Sequence, residues 1–171
     1  MNEFSMKDRD LADLPQGAVH VIEDIYYIPT WSKLLQECLP CDIDNVVRLY
    51  AIDQGWIIGH TAMTIANDLG LSTQIPGRYV YYSDGPACVI KIDNTEIEFI
   101  HKAFAVLNKD HTTAFIVTCL IYFYNDSVKD HKAIINDWFS EYDSASDLSY
   151  QEFLELVKPY PEIYQNALLL D

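Results

Sequence analysis

Between Ala114 and Tyr124 the chain runs Ala-Phe-Ile-Val-Thr-Cys-Leu-Ile-Tyr-Phe-Tyr, in which Thr118 and the two tyrosine hydroxyls are the only polar side-chain groups besides a thiol. Such a segment has no wet face in any regular conformation, so the fold must surround it. It falls short of the roughly 18 to 20 apolar residues that a bilayer crossing needs. Its length favours a core helix, with a buried strand as the alternative that periodicity alone leaves open. A chain of 171 residues with 50% hydrophobic content supplies the apolar surface for such a core and bounds the answer to one globular domain with a helical extension.

Strand signals precede that run. Arg78 to Asp84, Ala87 to Asp93 and Thr95 to His101 read as strands of a meander, with turn chemistry at Asp84-Gly85 and Asp93-Asn94. The middle one alternates: Val89, Lys91 and Asp93 point one way and Cys88, Ile90 and Ile92 the other, so one face is core and one is wet. The first carries Tyr79 and Tyr81 on one face and Val80 and Tyr82 on the other, so a second layer or a partner must cover it. Val19 to Ile28 is β-rich and reads as a hairpin or bent strand.

Helical signals fill the rest. Thr30 can cap a short helix through Glu37, stopped by Pro40, and Asp42 a second carrying Ile43, Val46, Val47, Tyr50 and Ala51 on one face. A third spans about His60 to Leu69 and ends at Gly70, and a fourth starts at Asp126 or Ser127 and reaches about Tyr142. Ser149 and Glu152 form a capping box ahead of Phe153, Leu154, Leu156 and Val157. The expected fold is α+β: a small antiparallel sheet packed with helices and a helical, acidic C-terminus. Residues 1–15 read as a flexible arm, 16–125 as the core domain and 126–171 as a helical extension packed on it.

Charge narrows the function. Asp and Glu number 26 against 11 Lys and Arg, a net charge of -15 and a sequence pI near 4.4. Sequence-independent nucleic-acid affinity comes from cations displacing counterions, so direct nucleic-acid binding is not expected; the acidic surplus reads either as a plain solvated surface or as attraction to a basic protein partner. The start of the chain has neither a basic region nor an apolar run, no membrane association is expected, and the cytoplasm is the expected compartment. Cys38, Cys41, Cys88 and Cys119 form no disulfide framework, and Cys38-Leu-Pro-Cys41 lacks the second pair that a structural zinc needs. His20, His60, His101, His111 and His131 are scattered. No catalytic constellation, metal site or cofactor motif stands out, so a non-enzymatic role is expected and no cofactor is required.

One segment has the character of a signature. Leu69-Gly-Leu-Ser-Thr-Gln-Ile-Pro76, followed by Tyr79-Val-Tyr-Tyr-Ser-Asp-Gly-Pro86, resembles the core of the AbiEi-type antitoxins of type IV toxin–antitoxin systems. There a helix ending in Leu-Gly-Leu-Ser-Thr-Gln leads to a strand, an Asp-Gly turn and further strands. The resemblance runs from about Gly17 to about Leu120. It implies an antitoxin that opposes a nucleotidyltransferase toxin, and in this family the action is described without a tight complex. Members usually begin with a basic winged helix-turn-helix; the residues before Gly17 are too few for one, and Glu23 and Asp24 stand where the wing is usually basic, so promoter binding is not expected. Gly59-His60-Thr61 stands where the family commonly has Pro-Ser-Gly.

Two readings follow. The first is a non-enzymatic, antitoxin-like antagonist that counteracts a bacterial toxin or nucleic-acid enzyme through protein interaction. The second is a phage-type acidic inhibitor, as anti-CRISPR and other anti-defence proteins are, blocking the basic groove of a nucleic-acid-binding defence effector. The two make different demands on the charge: an inhibitor acting by mimicry needs carboxylates clustered on one partner-binding face, for which Glu23, Asp24, Asp137, Glu141, Asp143, Asp147, Glu152 and Glu155 are the candidates. Gln74, Arg78, Tyr81 and Asp84 are candidates for a second surface at the signature, although Ser72, Thr73 and Gln74 also suit a purely structural task after a helix end.

Overall fold

In the computed structural model, which describes residues 2–74, 77–137 and 148–170, the chain opens with a strand and not with a loose arm. Strand β1 (Glu3–Ser5) pairs antiparallel with β3 (Ile25–Tyr27), which also pairs antiparallel with β2 (Val19–Ile22), in the order β1-β3-β2. The arm is held because the Glu3 carboxylate accepts hydrogen bonds from the Asp42 backbone N–H at 2.9 Å and from Asn45 Nδ2 at 3.4 Å, and because Met6 is buried. A 3-10 turn, Leu11–Asp13, follows and is capped by Asp10. The hairpin expected at Val19 to Ile28 is β2–β3, turning at Glu23, whose φ of 46° is left-handed.

The short helix expected from Thr30 to Glu37 is instead a second hairpin, β4 (Thr30–Ser32) with β5 (Glu37–Leu39). So few residues ahead of Pro40 cannot repay the cost of nucleating a helix. The loop finds its own hydrogen bonds: Ser32 Oγ accepts from the Leu35 N–H at 3.2 Å, the Gln36 N–H donates to the Ser32 carbonyl at 2.9 Å, and Gln36 takes a φ of 57°.

Helix α1 (Ile43–Gln54) begins as expected, with Asp42 Oδ1 accepting from the Asn45 N–H at 3.3 Å. It ends at Gly55, whose φ of 73° lets the Trp56 N–H reach the Ala51 carbonyl. Val46, Val47, Tyr50 and Ala51 form its buried face. These elements belong to one compact unit, Met1–Trp56 with Val89–Ile97; the other comprises Ile57–Cys88 and Glu98–Asp171.

The second unit starts with β6 (Ile58–His60), paired antiparallel with β7 (Tyr79–Ser83). His60 therefore lies in a strand, and α2 (Ala62–Asp68) starts after Thr61, whose Oγ1 accepts from the Thr64 N–H. With β8 (Cys88–Ile92) and β9 (Thr95–His101) the strand order is β6-β7-β9-β8, so the three expected strands form no meander: β9 lies beside β7. Asp93, with a φ of 50°, makes the tight turn between β8 and β9. Asp84 and Gly85 do not turn a hairpin, because Asp84 is engaged by Ile57 and Gly85 by His101, and Pro86 follows. In β8, Val89 and Lys91 are exposed while Ile92 is fully buried, which matches the alternation.

After α3 (Leu107–Asp110), the apolar run is helix α4 (Thr112–Tyr124), with Phe115, Val117, Cys119, Leu120 and Ile121 essentially inaccessible. The next helix does not start at Asp126 or Ser127: Asn125–His131 is 3-10 in character and broken at Ser127, and regular helix, α5, covers residues 132–137. Ser127 Oγ donates to the Tyr124 carbonyl at 2.8 Å and so competes with helix continuation. The span expected from 138 to Tyr142 lies outside the described residues. Helices α6 (Tyr150–Val157) and α7 (Pro161–Ala167) bury Phe153, Val157, Ile163 and Ala167 in the same core as α4. Tyr82 enters that core edge-on to Phe104, with ring centroids 5.6 Å apart. Among the described residues no helix is long and apolar enough to cross a membrane.

Candidate functional site

The signature begins as the C-terminal cap of α2. Gly70 takes a φ of 72°, and the N–H groups of Leu71 and Ser72 both reach the Ala66 carbonyl, at 2.8 and 3.1 Å. Asn67 Nδ2 donates to the Ser72 carbonyl at 2.9 Å, and the Gln74 N–H donates to Ser72 Oγ at 3.1 Å. Ser72 therefore shapes the exit from the helix, and the side chains of Thr73 and Gln74 are left exposed. A shallow cavity of about 390 Å³ lies along Gly70 to Gln74 and is backed by Phe123.

Of the four residues expected on this surface, Gln74 and Arg78 are exposed. Tyr81 is not a surface residue: it is only 4% accessible, with its ring 6.1 Å from Phe99 and 5.7 Å from His60. Strands on both sides of β7 supply those rings, His60 from β6 and Phe99 from β9, and so crowd Tyr81 out of solvent. Asp84 is half-buried and carries a local ladder, with Oδ1 accepting from the Ile57 N–H at 2.7 Å and its own N–H donating to the Ile57 carbonyl at 3.1 Å. The signature thus holds α2, β6 and β7 together, and brings no set of reactive groups to one point.

Four of the five candidate carboxylates among the described residues fall into two local pairs. Glu23 and Asp24 are exposed at the β2–β3 turn, where Glu23 Oε2 accepts from Gln54 Nε2 at 2.9 Å. Glu152 and Glu155 are exposed on α6, three residues apart and so on one helix face. Glu152 Oε2 accepts from the Ser149 hydroxyl at 2.6 Å and the Ser149 N–H at 2.8 Å, and these bonds, the hydroxyl first, hold its carboxyl below the usual range. Glu155 pairs with Lys158 at 3.1 Å, a solvent-exposed contact of little energetic weight that reduces the local negative field. Asp137 is exposed at the end of the described part of α5, in the same unit as Glu152 and Glu155. Glu141, Asp143 and Asp147 lie outside the described residues.

Groups with latent reactivity are pushed toward their neutral forms. Burial raises the Cys119 thiol strongly, and burial with the neighbouring Asp93 and Glu3 charges raises Cys41. The Tyr82 phenol is driven to about 12 by burial. Burial, followed by Cys41, Asp93 and Cys38, also raises Tyr27, which lines a cavity of about 330 Å³ with Glu3, Asp42 and Asn45. A raised thiol supplies little thiolate at neutral pH, so Cys41 is poorly suited to nucleophilic work. Among the described residues no group of three or more His, Cys, Asp or Glu could hold a metal ion.

The sequence reading missed the exposed apolar hairpin β4–β5, because it assigned Thr30 to Glu37 to a short helix. The β-prone triplets Thr30-Trp31-Ser32 and Glu37-Cys38-Leu39 around a short loop are the signal that could have found it. No curated protein and no solved structure matches the chain. Residues 12–139, about three quarters of the sequence, match the family described as "Family of unknown function (DUF6088)", and the chain belongs to that family.

Proposed function

We propose that this chain is a non-enzymatic, antitoxin-like antagonist that counteracts a bacterial toxin or nucleic-acid enzyme through protein contact. The observation that carries this reading is the surplus of carboxylates, 26 acidic against 11 basic residues, with Glu23, Asp24, Asp137, Glu152 and Glu155 all exposed. Such a surface is attracted to the basic face of a protein that handles nucleic acid, and repelled by nucleic acid itself. The Cys41 and Cys119 thiols, which burial holds toward the neutral form, are poorly suited to nucleophilic work, and this supports the non-enzymatic part. The same charge favours a second reading, in which the partner is the basic groove of a defence effector and the chain acts as an anti-CRISPR-type inhibitor. The cytoplasm is the compartment in which either antagonist would meet its target.

Paired genetic assays separate the two. In one, a nucleotidyltransferase-type toxin arrests growth and the chain is co-expressed with it; in the other, a CRISPR effector clears a targeted plasmid in the presence of the chain. The antagonist reading expects protection in one assay, and the partner is the one whose effect is relieved. Replacing Glu141, Asp143 and Asp147 together by Lys should weaken protection at equal expression. Protection in neither assay would sink the antagonist reading, and full protection by the triple variant would sink charge mimicry at those positions.

A further inference from the structure

Among the described residues the β4–β5 hairpin pairs with no further strand, so it is a two-stranded sheet with two open edges. Its loop is Lys33-Leu34-Leu35-Gln36, where surface turns ordinarily carry Gly, Asn, Asp or Ser. Leu34 is 90% exposed, and Leu35 and Trp31 are each 57% exposed. Leu39 is also exposed but pairs with Thr30, which places it on the other face of the hairpin from Trp31, whose partner in the register is the exposed Cys38. Single exposed apolar residues are ordinary, but a tryptophan and two adjacent loop leucines on one short hairpin are a concentration of exposed apolar surface of the kind that marks an interaction site.

The backbone presenting this patch is built. Ser32 Oγ and the Ser32 carbonyl accept from Leu35 and Gln36, and Gln36 Nε2 closes the loop by donating to the Lys33 carbonyl at 2.6 Å. The leucines are therefore displayed by a loop with its own hydrogen bonds, which lowers the ordering cost of docking.

Charge selects the occupant. A second copy would bring two chains of net charge -15 together, and an anionic lipid surface would be repelled in the same way. A basic protein is attracted over that same range. We propose that the hairpin Thr30–Leu39 is the docking element of this chain, seating Trp31, Leu34 and Leu35 in an apolar cleft on a basic, nucleic-acid-handling protein. The proposal rests on the antagonist reading and adds the surface that would make the contact. Long-range attraction would govern arrival, and the buried tryptophan and leucines would govern residence time.

The test is calorimetric titration of the purified chain into two purified probes, a nucleotidyltransferase-type toxin and a CRISPR effector nuclease free of nucleic acid. Three variants accompany the wild type: Leu34→Ser with Leu35→Ser, Trp31→Thr, and Leu11→Ser as a control, since Leu11 is 64% exposed in the same unit but outside the hairpin. The expected result is binding to one probe, weakened about 30-fold or more by the loop double variant and by Trp31→Thr, and unchanged by Leu11→Ser. Equal binding by the loop double variant, or equal loss in Leu11→Ser, overturns the hairpin as docking element while leaving the antagonist reading intact. Binding to neither probe overturns both. Dimerisation of the wild type abolished by the loop double variant, or its binding to phosphatidylglycerol vesicles, would replace the proposed occupant by a second copy or by lipid.

Discussion

Gly59 shows how one missing carbon fixes a contact. A Cβ built there would overlap the Cζ and Cε1 atoms of Phe115, a ring that is itself only 2% accessible. Gly59→Ala should therefore destabilise the fold by about 1–3 kcal/mol, as overpacking does, and by less in a Phe115→Leu background; chemical denaturation measures both. An unchanged midpoint would show that the strand and helix have slack there. Thr118 makes the opposite case. Its hydroxyl is fully buried in α4 and finds no hydrogen-bond partner among the described residues. The isosteric Thr118→Val should raise stability by roughly 1 kcal/mol, because it removes an unsatisfied polar atom without changing volume much. A loss of stability in the same denaturation experiment would mean that the hydroxyl has a partner in solution.

At the scale of elements, β1 depends on Glu3. Burial pushes its carboxyl up, but the donors around it, the Asp42 N–H foremost among them, outweigh that and hold it below the ordinary value of 4.5. A depressed carboxyl stabilises the fold above its unfolded value, and that contribution disappears as the pH falls through the folded value. Glu3→Gln should thus be less stable than the wild type by about 1 kcal/mol at pH 7, and the gap should close below about pH 4.5. Melting curves across that range test it, and a gap independent of pH would show that the carboxylate charge is irrelevant.

Elements written in local chemistry were legible in the sequence. Asp42 and Gly55 bracket α1, Ser149 and Glu152 box the start of α6, and alternation sets β8. Elements made by distant pairing were not: β1 exists because β3 lies beside it, β6 because β7 does, and β9 rather than β8 neighbours β7. The candidate site divides in the same way. The exposure of Glu152, Glu155 and Arg78 follows from charge alone, whereas the burial of Tyr81 depends on a strand order that no local pattern records.

For the whole molecule, net charge is the property that reaches furthest. At -15 the folded chain repels itself, so its melting temperature should rise as sodium chloride goes from about 20 to about 300 mM, the screening length shrinking severalfold. A flat or falling curve would mean that the acidic groups are already compensated locally. The same field is the basis of the proposed antagonism, and it makes the central claim measurable: the activity of a nucleotidyltransferase-type toxin or of a CRISPR effector nuclease, titrated with the purified chain at low and high salt. The account predicts saturable inhibition of one of them at close to equimolar chain, with the half-inhibiting concentration rising about 10-fold between roughly 50 and 300 mM salt. Absence of inhibition at any ratio, or inhibition indifferent to salt, would contradict it.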